Sequence, residues 1–241
     1  MELVEIIYKN LSDYQSYKDL YDTCRFILSE EQAVAVDYMR KLNEKIKERL
    51  QVTEDKEEVV NLFGLHKHLL TTLAPYDFEA YIYAMEWDRP LNKQFYYPRE
   101  KTLRPVVQSL QKLADDKLDL LCISMPPGAG KTTLAIFFLT WLAGREPNEP
   151  MLTGSHSNSF IRGVYDECLR MFEKTGEYRW TEIFPQLVIS GTNAKDCRID
   201  IDKRQRFETL EFTSIGTGNA GLYRASTLLY CDDLVSGLEV A

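Results

Sequence analysis

The stretch that most constrains the fold runs from Leu120 to Thr133. It holds an apolar run, a proline- and glycine-rich turn, and Gly-Lys-Thr at the start of an apolar helix. A glycine-rich turn at a helix N-terminus leaves backbone N–H groups unpaired, with the positive end of the helix dipole behind them. We therefore predict a phosphate-binding loop fed by a β-strand. The alternative is an ordinary strand-to-helix turn that carries a lysine.

The residues of this loop have expected roles in binding ATP and Mg²⁺. Lys131 is expected to contact the β- and γ-phosphates, and the Thr132 hydroxyl to bind Mg²⁺. Gly128 and Gly130 allow close approach of the backbone. The first glycine of the usual phosphate-loop pattern is replaced by Met125, so the loop is a deviant form. The predicted nucleotide-binding residues of the loop are Gly128, Ala129, Gly130, Lys131, Thr132 and Thr133.

A second motif lies about 100 residues further on, where an apolar strand over 227–231 ends in two carboxylates. Asp232 is expected to hold the Mg²⁺, together with Thr132, and Asp233 to orient or deprotonate the attacking water. Phosphoryl transfer also needs a cation near the γ-phosphate. Arg224 is the first candidate and Arg162 the second, although either could instead form a structural salt bridge.

The order of elements predicts two domains. Residues 1–90 are expected to form a helical region, with helix starts at Ser29 and at Thr53–Asp55, and residues 91–241 a P-loop ATPase domain. The predicted fold class is α/β, a P-loop NTPase with a mostly parallel sheet flanked by helices and preceded by the helical region. Tyr97, in the aromatic stretch at the junction, either stacks on adenine or fills the seam between the domains.

Composition limits the partners. A net charge of −8 and a pI near 5.1 argue against a broad nucleic-acid surface, so any such contact is expected to be local. Five singly spaced cysteines favour reduced thiols, and we predict no structural metal. The acidic start and the lack of a long apolar span predict a cytoplasmic protein without membrane contact.

With these residues in place, the chain resembles the ATPase half of bacteriophage terminase large subunits, the motors that package viral DNA. The resemblance implies ATP hydrolysis coupled to translocation of double-stranded DNA in a bacterial host. It also implies a homo-oligomeric ring, a portal protein and a small terminase subunit as partners, and a separate nuclease domain. The residues that carry it are 95–99, 125–132, 154–157, 183–185, 216–224 and 229–233.

Two departures from that family keep alternatives open. The phosphate loop contains no arginine, and the chain ends at Ala241, soon after the two carboxylates. We therefore expect an ATPase domain truncated after the Asp-Asp strand, without the nuclease. The alternatives are another P-loop ATPase, such as a helicase-like protein or a nucleotide kinase, and a module that binds nucleotide without efficient turnover.

Overall fold

The structure is a computed structural model that describes residues 2–174, 176–214 and 224–234. It divides the chain into two compact units, Met1–Trp87 and Asp88–Ala241. The domain assignment made from the sequence places its boundary between residues 90 and 91, and that assignment stays a prediction. Within the described ranges, no helix is both long and apolar enough to cross a membrane.

The first unit is built from helices whose apolar faces pack on one another. They are α1 (Glu2–Lys9), α2 (Tyr14–Ile27), α3 (Gln32–Val52), α4 (Lys56–Leu73) and α5 (Phe78–Glu86). Residues three or four positions apart on each helix share a face, and those that face inward form the core. The fully buried side chains of this core include Leu20, Met39, Leu42, Ile46, Leu62, Phe78 and Tyr81.

Helix starts in this unit follow the capping residues only in part. The Asp55 side chain accepts a hydrogen bond from the backbone N–H of Glu57 at 2.9 Å, which confirms the start predicted at Thr53–Asp55. The start predicted at Ser29 is wrong, because α3 begins at Gln32 and its cap residue Glu31 makes no side-chain cap bond.

The second unit combines helices with a β-sheet, and one of its helices is apolar and buried over most of its length. Its helices are α6 (Glu100–Ala114), α7 (Lys131–Arg145), α8 (Asn158–Phe172) and α9 (Trp180–Ile183). Phe137 and Trp141 of α7 are fully buried. The indole N–H of Trp180 donates to the Thr140 carbonyl oxygen at 3.0 Å, so α9 is fixed to α7 by a buried polar contact.

The sheet of this unit has the order β2-β3-β4-β1-β5. Strand β1 pairs in parallel with both β4 and β5, whereas β2–β3 and β3–β4 are antiparallel. The carboxyl ends of three parallel strands therefore meet at one edge, where ligands bind in α/β sheets. The strands are β1 (Met151–Ser155), β2 (Ile189–Asn193), β3 (Arg198–Ile201), β4 (Leu210–Ser214) and β5 (Leu228–Cys231).

This topology corrects the predicted fold class. The mostly parallel sheet is wrong, because two of the four strand pairings are antiparallel. The strand predicted to feed the loop is also wrong, since residues 120–126 form neither helix nor strand and Leu120 is 78% exposed. In a P-loop NTPase the strand before the loop is paired within the sheet and so fixes where the loop begins. In the described sheet the edge strand is β5, and residues 120–126 do not pair with it. The P-loop NTPase fold class is therefore not supported, and the sheet is a mixed one.

Candidate active site

A cavity of about 760 Å³ lies beside the end of β5. Its walls come from α6, from the extended residues 118–123, from the inner face of α7 and from β5 itself. Leu113, Phe138 and Leu139 make part of the wall apolar. The charged side chains of the wall are Lys131, Asp116, Asp119 and Asp232. A cavity of this size with a few convergent polar groups is typical of a small-molecule site.

Lys131 and Asp232 are 101 positions apart in the chain and meet at this cavity. Nζ of Lys131 donates to Oδ1 of Asp232 at 2.6 Å, and the Asp232 side chain is only 5% exposed. The hydrogen bond to Asp232 and the nearby carboxylates raise the pKa of Lys131, so the lysine is held in its charged form.

Tyr230 completes the surroundings of Asp232, and sequence reasoning missed it. Its hydroxyl donates to Oδ2 of Asp232 at 2.8 Å. Burial, followed by this contact, raises the pKa of Tyr230, so the phenol stays protonated and continues to donate. The two-residue period of a strand places positions 230 and 232 on the same face, a signal that could have identified it.

The turn before α7 depends on two glycines in the left-handed region. Gly128 has φ +79° and Gly130 has φ +99°. A Cβ on Gly130 would lie 2.5 Å from Cε2 of Phe95, whereas a Cβ on Gly128 would meet nothing within 4 Å. Ala129 between them donates its N–H to the Pro126 carbonyl oxygen. The turn is thus fixed by backbone conformation and by the Phe95 ring.

These two glycines give a matched pair of substitutions. Gly130→Ala is expected to lower the free energy of unfolding by about 1–3 kcal/mol through backbone strain, with a further loss from the clash with Phe95. Gly128→Ala is expected to cost only the strain. Urea denaturation of both variants checks this expectation, and equal losses would contradict the role given to Phe95.

The other predicted site residues lie in different places. Thr132 and Thr133 are half-buried in the first turn of α7. Tyr97 is 58% exposed in a short 3₁₀ turn and does not belong to the described cavity wall. The Arg224 guanidinium hydrogen-bonds the nearby Ser226 hydroxyl, and Arg162 donates to the Ala194 carbonyl oxygen. The structure therefore brings together Lys131 and Asp232 but not the proposed arginines.

Asp233 sits beside the cavity in an unusual backbone conformation, with φ +45°. Its carbonyl oxygen accepts from the backbone N–H of His156 at 3.1 Å and also from the His156 ring. This pairing ties the segment after β5 to the segment after β1. The side-chain role predicted for Asp233 stays a prediction, as do the roles of the loop residues. Residues 215–223, which contain most of the predicted loop at 216–224, lie outside the described residues.

The metal-binding roles predicted for Thr132 and Asp232 stay predictions. Both carboxylate oxygens of Asp232 already accept hydrogen bonds, from Lys131 and Tyr230. Over residues 2–174, 176–214 and 224–234, no group of three or more His, Cys, Asp or Glu side chains is placed to hold a metal ion. Nζ of Lys131 lies 2.6 Å from Oδ1 of Asp232.

Comparison with known proteins finds similarity to a protein other than a terminase. No family model matches the chain, and no solved structure matches it. A segment of 102 residues is 28% identical to the mouse protein "tRNA (guanine-N(7)-)-methyltransferase". The matched segment covers 41% of this chain and 38% of the mouse protein.

This similarity overturns the predictions that followed from the terminase resemblance. The family, the function as a DNA-packaging ATPase, the helicase-like alternative and the cofactors ATP and Mg²⁺ are contradicted, because the chain is similar to a methyltransferase. The expectation of an enzyme is supported only at that coarse level. The predicted partners, namely double-stranded DNA, the portal protein, the small terminase subunit and a homo-oligomeric ring, stay predictions.

Proposed function

We propose that this chain transfers a methyl group from S-adenosylmethionine to a base of RNA. The observation that carries the proposal is the 102-residue similarity to the mouse tRNA methyltransferase. The geometry at the end of β5 agrees with it. The matched segment covers only 38% of the mouse protein, so the reaction and the RNA substrate are both proposals for this chain.

The residues around the cavity fit a nucleoside cofactor. A ribose presents two neighbouring hydroxyl donors, and a carboxylate at the carboxyl end of a parallel strand is a suitable acceptor for them. Asp232 follows β5 at that edge and contributes to the cavity wall. The apolar side chains Leu113, Phe138 and Leu139 suit an adenine ring.

Lys131 gives the site its positive charge. Its ammonium group is held against Asp232 and is about one-third exposed, so it can also meet a ligand in the cavity. The amino-acid part of S-adenosylmethionine carries a carboxylate that such an ammonium group binds. At Gly128 a Cβ would meet nothing within 4 Å, so the turn is open to a ligand on that side.

The protein's part in such a reaction is to bind, orient and exclude water. When bound, S-adenosylmethionine supplies an electrophilic methyl group on a positively charged sulfur. A ring nitrogen of the RNA base supplies the electron pair, so that a carbon–nitrogen bond forms as the carbon–sulfur bond breaks. Asp232 and Lys131 would hold the ribose and the amino-acid part of the cofactor, and the apolar side chains of the wall would limit access of water.

A labelled-methyl assay tests this proposal. The chain is incubated with S-adenosylmethionine carrying tritium in the methyl group and with total tRNA, and label in precipitated RNA is counted. We expect label that depends on protein and on RNA and that is lost after ribonuclease treatment. Equilibrium dialysis of the same labelled compound without RNA is the second measurement. Absence of both transfer and binding would overturn the proposal.

A further inference from the structure

The connection between β3 and β4 carries the densest run of positive charge in the chain. Lys203, Arg204 and Arg206 give three basic residues within four positions, in a protein whose net charge is −8. All three side chains are exposed. We call these three residues the basic loop.

The backbone around the basic loop is held in place. The N–H of Asp202 donates to the Val188 carbonyl oxygen at 2.7 Å, and Asp202 has φ +67°. The side chains of Gln205 and Thr209 both donate to the Pro147 carbonyl oxygen, at 3.1 and 2.6 Å. Because the loop is fixed at both ends, its charges are presented in one arrangement, which lowers the entropy lost when a partner binds.

Two carboxylates lie close to the basic loop: Asp202 is exposed directly before Lys203, and Asp200 is near enough to Arg204 for the arginine charge to oppose the rise in the pKa of Asp200. In the described parts of the chain none of its three side chains forms an ion pair. Of the carboxylates nearby in sequence, Glu208 pairs with Arg198 at 3.4 Å and Asp200 is buried. The Arg206 guanidinium lies over the Phe207 ring, 5.3 Å from its centroid, which orients the planar group.

We propose that the basic loop is a binding surface for the phosphate backbone of RNA. Exposed guanidinium groups recognise phosphate oxygens through paired hydrogen bonds, and a lysine adds a point charge. A preorganised local patch of this kind allows polyanion binding by an acidic protein, whose overall charge disfavours a broad contact. The proposal rests on the proposed function for its choice of RNA as the polyanion.

The position of the basic loop determines which RNA molecules can contact both it and the cavity. Since β3 runs antiparallel to β4, the loop lies at the amino end of the parallel strands, opposite the edge that holds Asp232. A strand of five residues spans about 17 Å. A single nucleoside bound at Asp232 lies at the opposite end of these strands from the loop, whereas a folded RNA can bridge the two. The basic loop should therefore matter for large RNA and not for small substrates.

Binding of fluorescently labelled tRNA, followed by anisotropy over a series of salt concentrations, tests the surface. The double variant Lys203→Glu/Arg206→Glu is expected to bind tRNA on the order of tenfold more weakly than wild type. The alanine variant Lys203→Ala/Arg206→Ala, which avoids new carboxylates, should reduce the slope of log K against log salt by about 2. Lys56→Glu/Lys112→Glu changes the net charge equally at two exposed lysines elsewhere and should behave as wild type.

The outcomes separate this proposal from the proposed function. If the basic-loop variants bind tRNA as the control does, or if wild type shows no tRNA binding, the surface is overturned. If they lose tRNA binding and wild type fails to bind S-adenosylmethionine, the surface stands and the methyltransferase proposal falls. Where transfer is measurable, the variants should raise KM for tRNA and leave kcat unchanged, with no effect on transfer to a dinucleotide.

Discussion

Replacing Asp232 with asparagine is expected to weaken the binding of S-adenosylmethionine by at least about tenfold. A hydrogen bond to a charged group contributes about 1.5–3 kcal/mol, and 1.4 kcal/mol corresponds to a factor of ten. The change also removes the negative partner of Lys131, whose Nζ lies 2.6 Å from Oδ1. Calorimetric titration of wild type and variant measures the effect directly.

The same substitution at Asp166 is the matched control. Asp166 is exposed on α8 and does not belong to the described cavity wall. Asp166→Asn should leave the affinity for S-adenosylmethionine unchanged. Thermal melts of both variants establish that each is folded. Equal affinities of Asp232→Asn and wild type would remove Asp232 from the site.

The second large effect concerns a buried carboxylate in the sheet. Glu211 of β4 is only 1% exposed, and Nε of Arg198 lies 3.6 Å from its Oε1. Burial, followed by a hydrogen bond with Glu208, raises the pKa of Glu211 from 4.5 to about 8. The attraction of Arg198 opposes this shift but is outweighed by the loss of solvation.

This raised pKa predicts how stability depends on pH. Between the unfolded pKa of 4.5 and the folded pKa of about 8, the folded chain keeps a proton that the unfolded chain has released. The contribution of Glu211 is therefore fully present below pH 4.5 and is lost as the pH rises through about 8, with a slope of at most about 1.4 kcal/mol per pH unit. Glu211→Gln should flatten this dependence and stabilise the protein at pH 8.

Urea denaturation of wild type and Glu211→Gln at pH 5, 6.5 and 8 measures the difference. The control is Glu173→Gln, which makes the same change at an exposed position after α8. Burial also raises the pKa of Asp200, so a smaller dependence of the same sign should remain in the variant. A wild-type stability that does not fall between pH 5 and pH 8 relative to Glu211→Gln would contradict the expected ionisation.

Local signals in the sequence predicted local structure better than strand pairing. Asp55 caps α4 as predicted, because a cap acts within a few residues. The apolar run at 120–125 resembles a strand in composition, yet whether it pairs depends on distant residues. Two prolines directly after it also remove backbone donors.

The candidate site was partly accessible from the sequence. Lys131 at the start of an apolar helix and Asp232 after an apolar strand were predicted as site residues from the sequence, and the fold brings them together. The sequence did not predict that Tyr230 hydrogen-bonds Asp232. It also did not predict that the Phe95 ring packs against Gly130, since this contact depends on packing between segments. The choice of ligand was wrong, since a glycine-rich turn with a lysine is compatible with more than one nucleotide-derived ligand.

The central claim is tested most directly by calorimetric titration of the wild-type chain with S-adenosylmethionine, and in a parallel experiment with ATP and Mg²⁺. The account predicts saturable binding of one S-adenosylmethionine per chain, no comparable binding of ATP with Mg²⁺, and weaker S-adenosylmethionine binding by Asp232→Asn. Binding of ATP with Mg²⁺, dependent on Lys131 and without any binding of S-adenosylmethionine, would contradict it.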